Sequence, residues 1–288
     1  NDLFDSVANQ TVAVTTLDNE PAVPAPGTAV LVPNPNVSGT QMLVVTGTSK
    51  SDHITISTDS NGNLVVKINK QPNAVFAAAG ISRIVISGLG GNDHIDVSPS
   101  VTIATEVHGD AGNDHITGGS GDDVLIGGAG NDHVNGGSGD DLIRGNQGND
   151  KLQGCDGDDI LVGDAGNDDL IGDGGRDLLI GGAGNDHLVG GADDDILIGG
   201  MTSFDQNDAA LQTLMDEWTS TRSFDERASN LRLGTGDVLQ GTGLTLARGT
   251  TVFDLGHDKL TGGSGQNLLF TNTGEKKPKN KDKEKSHD

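Results

Sequence analysis

The sequence contains few of the residues that usually fill a protein core. Among 288 residues, aromatic side chains make up 2%, tyrosine is missing and tryptophan occurs once. A globular domain of this length normally relies on large aromatic side chains for its interior. We therefore expect a fold that packs small aliphatic side chains and is stabilised by something other than aromatic contacts.

Cysteine, basic residues and long apolar runs are also scarce. The single cysteine, Cys155, excludes an intramolecular disulfide framework. No run of about 18 apolar residues occurs, so no transmembrane segment is predicted. The 42 acidic and 18 basic residues give a net charge of −24. This charge argues against nucleic acid as a partner, because phosphate binding needs a basic surface.

The two ends of the chain differ in composition from its middle. Residues 1–38 hold five of the eight prolines and predict an extended linker with one short strand near Ala29–Val32. Residues 271–288 form a charged tail that we expect to be disordered. The chain begins at Asn1 without an initiator methionine or a signal peptide, so we expect a processed form or a piece of a longer protein.

Residues 39–108 carry the signals of short β-strands. The runs Met42–Thr46, His53–Ser57, Leu64–Ile68 and Ile81–Ser87 are rich in β-branched residues and are separated by Gly, Asn, Asp and Ser. They predict a strand-rich segment that leads into the region after it.

From Gly109 the sequence repeats every nine residues through Ile198. Each of the ten units has glycine at position one, aspartate at position six and an aliphatic residue at position eight. The position-eight residues are Ile116, Leu125, Val134, Ile143, Leu152, Leu161, Leu170, Leu179, Leu188 and Leu197. Glycine-rich turns followed by short strands predict an all-β fold, a parallel β-roll over residues 109–200, with position eight facing inward.

This roll would align the position-six aspartates along its two edges. One edge would carry Asp114, Asp132, Asp150, Asp168 and Asp186, and the other Asp123, Asp141, Asp159, Asp177 and Asp195. Carboxylates about 4.8 Å apart repel one another by roughly 3 kcal/mol per pair at an effective dielectric near 20. Calcium would remove this repulsion, because it takes six to eight oxygen ligands from carboxylates and carbonyls together. Magnesium keeps its waters, and zinc prefers histidine and cysteine.

The charge of the repeats sets the number of ions. Residues 109–198 contain 20 aspartates and three basic residues, a net charge of −17. About four ions on each edge, about eight in all, would nearly cancel this charge. Asp93 and Asp258 lie in partial copies of the repeat, so we expect them to add metal ligands at the two ends of the roll.

Units such as GGSGDDVLI at 118–126 and GGAGNDHVN at 127–135 resemble the hemolysin-type calcium-binding nonapeptide repeat family, also called RTX. The resemblance is close over 109–198 and loose over 88–96 and 254–270. It implies the C-terminal region of a large secreted bacterial protein, located outside the cell or on its surface, that is disordered where calcium is scarce. The units depart from the pattern at Arg176, Asp193 and Asn267, which puts the metal sites around 172–195 and in the last turn in doubt.

Residues 201–270 predict a helical insertion followed by degenerate repeats. Leu211, Leu214, Met215 and Trp218 have the spacing of an amphipathic helix. Ser223 and Glu226 form a capping-box pattern that starts a second short helix.

Two functions remain open from the sequence. The first is an extracellular calcium-binding module that folds on calcium and acts as a structural or secretion-assisting domain. The second is a self-assembling surface-layer, fibre or matrix protein. It would use an aliphatic outer face of the roll formed by Val124, Leu142, Ile160, Leu178 and Ile196. The competing interpretation of this face is that the helix bearing Trp218 folds back over it.

Neither catalysis nor a histidine metal site is predicted. No zinc-protease motif, nucleophile elbow or phosphate-binding loop occurs, so we expect no enzymatic activity. The histidines at position seven, His94, His115, His133 and His187, are interpreted as solvated surface, with a pH-sensitive patch or a weak transition-metal site as the alternative.

Overall fold

The computed structural model describes residues 24–235, 239, 242, 244–246, 252–253 and 257–270. Within these residues the chain forms the predicted β-roll, in which two ten-stranded sheets enclose one aliphatic core. The predicted linker before residue 24 and the predicted tail at 271–288 lie outside the described residues.

From β6 to β18 the strands alternate between the two sheets along the chain. In spatial order the first sheet contains β1 (Thr28–Pro33), β2 (Gln41–Thr48), β6 (Ile81–Leu89), β8 (Thr105–Ala111), β10 (Val124–Ala129), β12 (Leu142–Gln147), β14 (Ile160–Ala165), β16 (Leu178–Ala183), β18 (Ile196–Ile198) and β22 (Leu268–Phe270). From the same end the second sheet contains β5 (Ala74–Phe76), β4 (Leu64–Ile68), β3 (His53–Thr58), β7 (His94–Val97), β9 (His115–Thr117), β11 (His133–Ser138), β13 (Lys151–Asp156), β15 (Asp169–Gly174), β17 (His187–Gly191) and β21 (Lys259–Gly263).

The nine-residue period sets the register of the roll. Strands two units apart pair in parallel with equivalent positions opposite each other, as in Leu125 with Ile143. All ten position-eight side chains are buried in the common core, as predicted. The turns pass so close together that a Cβ on Gly166, whose φ is 153°, would overlap the carbonyl oxygen of Gly148 in the preceding rung. Glycine is therefore required there, because an L side chain meets both steric overlap and backbone strain.

Residues 39–108 already form the first rungs of this roll. The predicted strand runs correspond to β2, β3, β4 and β6, and β2, β6 and β8 pair in parallel in the first sheet. In the second sheet β3, β7 and β9 do the same. The strand predicted near Ala29–Val32 is β1, which pairs antiparallel with β2, and the antiparallel strands β4 and β5 end the second sheet.

A helical cap covers the outer face of the first sheet near its C-terminal end. The cap begins with β19 (Met201–Thr202), which pairs with β20 (Val252–Phe253), and continues through α1 (Asp208–Trp218) and α2 (Phe224–Leu233). Both predicted helices are present, and the capping box of Ser223 and Glu226 is formed at the start of α2.

The apolar side of the cap forms a second core against the sheet. Its fully buried Leu211, Leu214 and Trp218 belong to the same cluster as Leu178 and Ile196 of the roll. The helix therefore folds back over the aliphatic face, which was one of the two interpretations of that face.

Polar side chains at irregular positions of the repeats hold the cap in place. Arg144 is buried and donates to the carbonyl oxygen of Asp205 at 2.6 Å and to the carboxylate of Asp208 at 2.5 Å. Arg176 donates to the carbonyl oxygens of Thr219 and Ser220, just beyond the end of α1, at 3.2 Å each. A cation at a helix C-terminus is favourable because it complements the helix dipole.

Asp194 fixes the other end of the cap. Its carboxylate pairs with Arg227 of α2 at 2.6 Å, and its carbonyl oxygen accepts a hydrogen bond from the Trp218 indole at 2.7 Å. The Arg227 guanidinium also lies 4.6 Å from the centre of the Trp218 ring, within the range of a cation–π interaction.

The cap covers most of the aliphatic face that the self-assembly interpretation would offer to a second copy of the chain. Ile160, Leu178 and Ile196 are 3%, 0% and 0% exposed, because the helices cover them. Val124 and Leu142 are half-buried, with Leu142 packed against the same cluster. Three of the five residues proposed for self-association are thus occupied from within the chain.

We expect Leu178→Ala to destabilise the chain by about 2–5 kcal/mol, the usual cost of removing a fully buried leucine side chain. Val124→Ala is the matched control, since Val124 occupies the same repeat position but is only half-buried, and it should cost much less. Thermal unfolding in saturating calcium, followed by Trp218 fluorescence, measures the difference. Equal midpoints for the two variants would show that the cap does not bury this face.

Candidate metal centre along the roll edges

The position-six aspartates form two ladders, one along each edge of the roll. In each ladder, Oδ1 of one aspartate accepts a hydrogen bond from the backbone N–H of its counterpart in the preceding rung, for example Asp132 from Asp114 at 2.8 Å. Edge one contains Asp93, Asp114, Asp132, Asp150, Asp168, Asp186 and Asp258. Edge two contains Asp123, Asp141, Asp159, Asp177 and Asp195. All twelve predicted ligand residues therefore lie in the ladders.

The second carboxylate oxygen, Oδ2, is buried and lacks a hydrogen-bond donor in most of these residues. Within the described part of the chain this holds for Asp93, Asp114, Asp132, Asp141, Asp150, Asp159, Asp168, Asp177 and Asp195. Asp123 is an exception, because the N–H of Gly119 donates to its Oδ2 at 2.9 Å. A buried carboxylate oxygen without a donor or a cation is costly, since the charge has left water without compensation.

The protein environment makes these carboxyls hard to ionise. Burial, followed by the charges of neighbouring aspartates, raises the pKa of Asp141 and of Asp195 to about 8. The same causes raise the pKa of Asp177 to about 9 and that of Asp114 and Asp168 to about 7. At neutral pH the ladders therefore need either protons or cations beside these oxygens.

Each Oδ2 points into a small space that the position-one glycine leaves open. A Cβ on Gly163 would lie 2.5 Å from Oδ2 of Asp168 and 2.5 Å from the carbonyl oxygen of Gly181 in the next rung. Gly109 has the same relation to Asp114 and Gly127, again at 2.5 Å from each oxygen. Position one thus keeps a carboxylate oxygen and a carbonyl oxygen close together, and any side chain there would fill the space between them.

These carboxylate and carbonyl oxygens are suitable ligands for a hard, oxygen-binding cation. Among the described residues, no three or more His, Cys, Asp or Glu side chains converge on one point, so a metal here needs backbone carbonyls among its ligands. Calcium accepts such mixed sets of carboxylate and carbonyl oxygens in flexible geometry, whereas a tetrahedral zinc site requires nitrogen or sulfur side chains.

The two edges differ at position five. On edge one this position holds asparagine, and each amide oxygen accepts the N–H of the next rung, as Asn131 does from Asn149 at 2.7 Å. On edge two it holds aspartates such as the exposed Asp122 and Asp140 and the half-buried Asp158. Burial raises the pKa of Asp159 to about 7, and the charges of Asp140 and Asp158 contribute to this rise. Edge two therefore has the stronger negative potential.

Each ladder has one end at which other protein groups stand where a metal ion would be. At the N-terminal end of edge one, Asp52 accepts hydrogen bonds from Thr48 and from the Asn69 amide, so both of its carboxylate oxygens have donors. At the C-terminal end of edge two, Asn267 accepts a hydrogen bond from the N–H of Asp195 at 2.7 Å, and its amide nitrogen lies beside Gly262, where the other units have Oδ2. Asp52 was missed as a ladder residue, although the fragment Ser-Asp-His-Ile-Thr at 51–55 carries the repeat pattern.

The departures at Arg176 and Asp193 do not interrupt the ladders. Arg176 turns towards the cap, while its own N–H still donates to Asp158 at 2.7 Å. Asp193 takes a left-handed backbone conformation with φ of 64°, as a position that normally holds glycine requires. Asp177 and Asp195 keep the same buried Oδ2 as their neighbours.

Fold and site together define a parallel β-roll whose edges carry carboxylate ladders and glycine turns. Residues 108–143, 135–170, 144–179, 171–201 and 254–275 match the family model of the RTX calcium-binding nonapeptide repeat. In these two stretches, 108–201 and 254–275, the chain is similar to RTX repeats, which bind calcium. No curated protein and no solved structure was found to match the chain.

Neither helix of the described region has the length and apolar character to span a membrane.

The raised pKa values predict that protons can partly replace metal ions. A carboxyl whose pKa is higher in the folded chain than in the unfolded chain stabilises the fold when protonated. For Asp141 that contribution is full below about pH 4 and disappears as the pH rises towards 8. In excess chelator, we expect circular dichroism to show more β-structure at pH 5 than at pH 8, and saturating calcium to remove the difference. A chelated chain that gains no β-structure on acidification would contradict this.

The aspartates along edge two should also differ in importance. Asp141 lies between rungs that both carry aspartate, whereas the rung after Asp195 offers the neutral Asn267. An ion beside Asp195 therefore has fewer charged ligands. Asp141→Ala should lower the cooperativity of calcium-induced folding more than Asp195→Ala does, as measured by calcium titration. Superimposable titration curves would show that the position in the ladder does not matter.

Proposed function

We propose that the chain is an extracellular calcium-binding module of a longer bacterial protein, which folds on binding calcium and serves as a structural or secretion-assisting domain. The observation that carries this proposal is the row of buried Oδ2 atoms without donors, most of them beside a carbonyl oxygen at the position-one glycine. Asp93, Asp114, Asp123, Asp132, Asp141, Asp150, Asp159, Asp168, Asp177, Asp186, Asp195 and Asp258 are the proposed side-chain ligands.

Charge balance supports a stoichiometry of about eight ions. Eight calcium ions carry +16, against −17 for residues 109–198. Each site that holds an ion at a hundred times its dissociation constant adds about 2.7 kcal/mol to stability if the unfolded chain does not bind. Eight such sites exceed the usual stability of a domain, about 5–15 kcal/mol. We therefore expect the ions to decide whether the roll forms.

Calcium-dependent folding would suit a chain that is exported unfolded. Inside a cell, where free calcium is scarce, the like-charged ladders oppose folding, and outside the cell calcium removes that opposition. This reasoning supports a secreted or surface location. The RTX match supports the same location, since such repeats are typical of secreted bacterial proteins.

The alternative, self-assembly into a layer, fibre or matrix, depends on the aliphatic outer face of the first sheet, and most of that face is covered. Three of the five residues of the aliphatic face, Ile160, Leu178 and Ile196, are buried in one cluster with α1 and α2. An enzymatic role is not proposed, because the ladder carboxylates are arranged for metal binding and the matched repeats are calcium-binding structural elements.

Asp141→Asn tests the proposed role of the ladders. Asparagine keeps the accepting oxygen of the ladder, as Asn267 shows, but removes the charge beside the metal. The neighbouring Asp140→Asn is the control, because Asp140 is exposed and asparagine occupies position five throughout edge one. Circular dichroism during a calcium titration should show a midpoint at least fivefold higher for Asp141→Asn and changed less than twofold for Asp140→Asn.

Two results would contradict the proposal. One is a wild-type chain whose β-structure is the same at neutral pH in excess chelator and in calcium. The other is an equal shift of the calcium midpoint in both variants, which would mean that only the overall negative charge matters.

A further inference from the structure

A row of four histidines crosses the outer face of the second sheet, away from the calcium edges. His53, His94, His115 and His133 occupy the same register on β3, β7, β9 and β11. Successive ring centres are 4.8, 4.8 and 4.9 Å apart. The first three rings are stacked nearly parallel, and the fourth stands edge-on to the third. The roll thus holds four imidazoles at a uniform short spacing.

The ring nitrogens of this row are available to a ligand. His53 and His133 are exposed, and His94 and His115 are half-buried. Within the described part of the chain, none of the four rings has a hydrogen-bond partner, whereas two other histidines do. His187 contacts the Asp169 carboxylate at 2.8 Å and Lys259 at 3.0 Å, and His108 contacts Glu106 at 3.0 Å.

Paired imidazoles at this spacing suit a transition metal. Zinc–nitrogen bonds are about 2.0–2.1 Å long, so two nitrogens on one ion lie at most about 4.2 Å apart. Ring centres 4.8 Å apart allow this approach after a change in χ2, a torsion that is broad in histidine. Copper(II), nickel and zinc bind imidazole, whereas calcium requires oxygen.

We propose that adjacent rings of the row His53, His94, His115 and His133 bind a divalent transition-metal ion, with water completing its coordination. Two neighbouring rings form the minimal site, because no three side chains of metal-binding type converge on one point among the described residues. His94 and His115 are the central pair, since their rings are inclined by only 2° and each has a further histidine beside it.

The surroundings of the row favour a cation at neutral pH. Asp96 places a carboxylate near His115, and the chain as a whole carries a charge of −24. Lys151 follows His133 in the same register and ends the row.

The test uses the full chain without an affinity tag, saturated with calcium, and Cu²⁺ as the probe at about pH 7.5, where imidazole is mostly neutral. Copper affinity is measured by titration, and electron paramagnetic resonance reports the nitrogen ligands. The double variant His94→Gln with His115→Gln removes both imidazole rings of the central pair. His187→Gln is the control, because that histidine occupies the same repeat position but lies outside the row. Circular dichroism in calcium verifies that both variants fold.

We expect nitrogen hyperfine splitting in the wild type and affinity at least tenfold lower in the double variant. The control should change less than twofold. If the double variant folds poorly, His115→Gln alone leaves only the His53–His94 pair and should still weaken binding. Two results would overturn the proposal. One is a resonance spectrum in which copper bound to the wild-type chain shows no nitrogen ligands, and the other is an equal copper affinity of the double variant and the control. Neither result would bear on calcium binding at the edges.

Discussion

Repulsion between buried carboxylates is the constraint on which the rest of this structure depends. The rungs bring one aspartate per turn into a ladder, where Oδ1 is held by a backbone N–H and Oδ2 is in most cases buried without a donor. At most of these sites, glycine at position one keeps a carbonyl oxygen beside Oδ2. This arrangement is stable only with positive charge between the rungs, either protons at low pH or divalent cations at neutral pH. The scarcity of aromatic residues is consistent with stability that comes from ions as well as from the core.

The irregular positions of the repeats have a structural role. Arg144 and Arg176 break the regular outward pattern, and each contacts the helical cap. The cap in turn buries the aliphatic strip that the regular repeat would leave exposed. Exposed apolar strips on sheets promote association between chains. These two departures therefore mark places where the roll binds its own insertion.

Much of this could be predicted from the sequence, because a period of nine residues determines register and sidedness. The inward position eight, the two aspartate ladders and the alternation of faces all follow from it. The helix bearing Leu211 and Trp218 was predicted from spacing alone. Its docking site was not decided by spacing, because the contacts of Arg144 and Asp194 join residues far apart in the chain.

Other features depend on atomic positions that a repeat pattern does not contain. The hydrogen bond that occupies Oδ1 and leaves Oδ2 free needs the three-dimensional spacing of neighbouring rungs. The parallel pairing of β2 with β6 was missed because their loops differ in length from the nine-residue unit. For the same reason Asp52 was not recognised as the start of edge one, where protein donors take the place of an ion.

Amide hydrogen exchange at the position-six residues tests the central claim most directly, because those N–H groups donate to the ladder carboxylates. In calcium at neutral pH, the amides of Asp114, Asp132 and Asp141 should be strongly protected. In excess chelator at the same pH, their protection should be lost. If these amides were equally protected with and without calcium, the ladders would be stable without cations, and carboxylate repulsion would not be the constraint that governs folding of the roll.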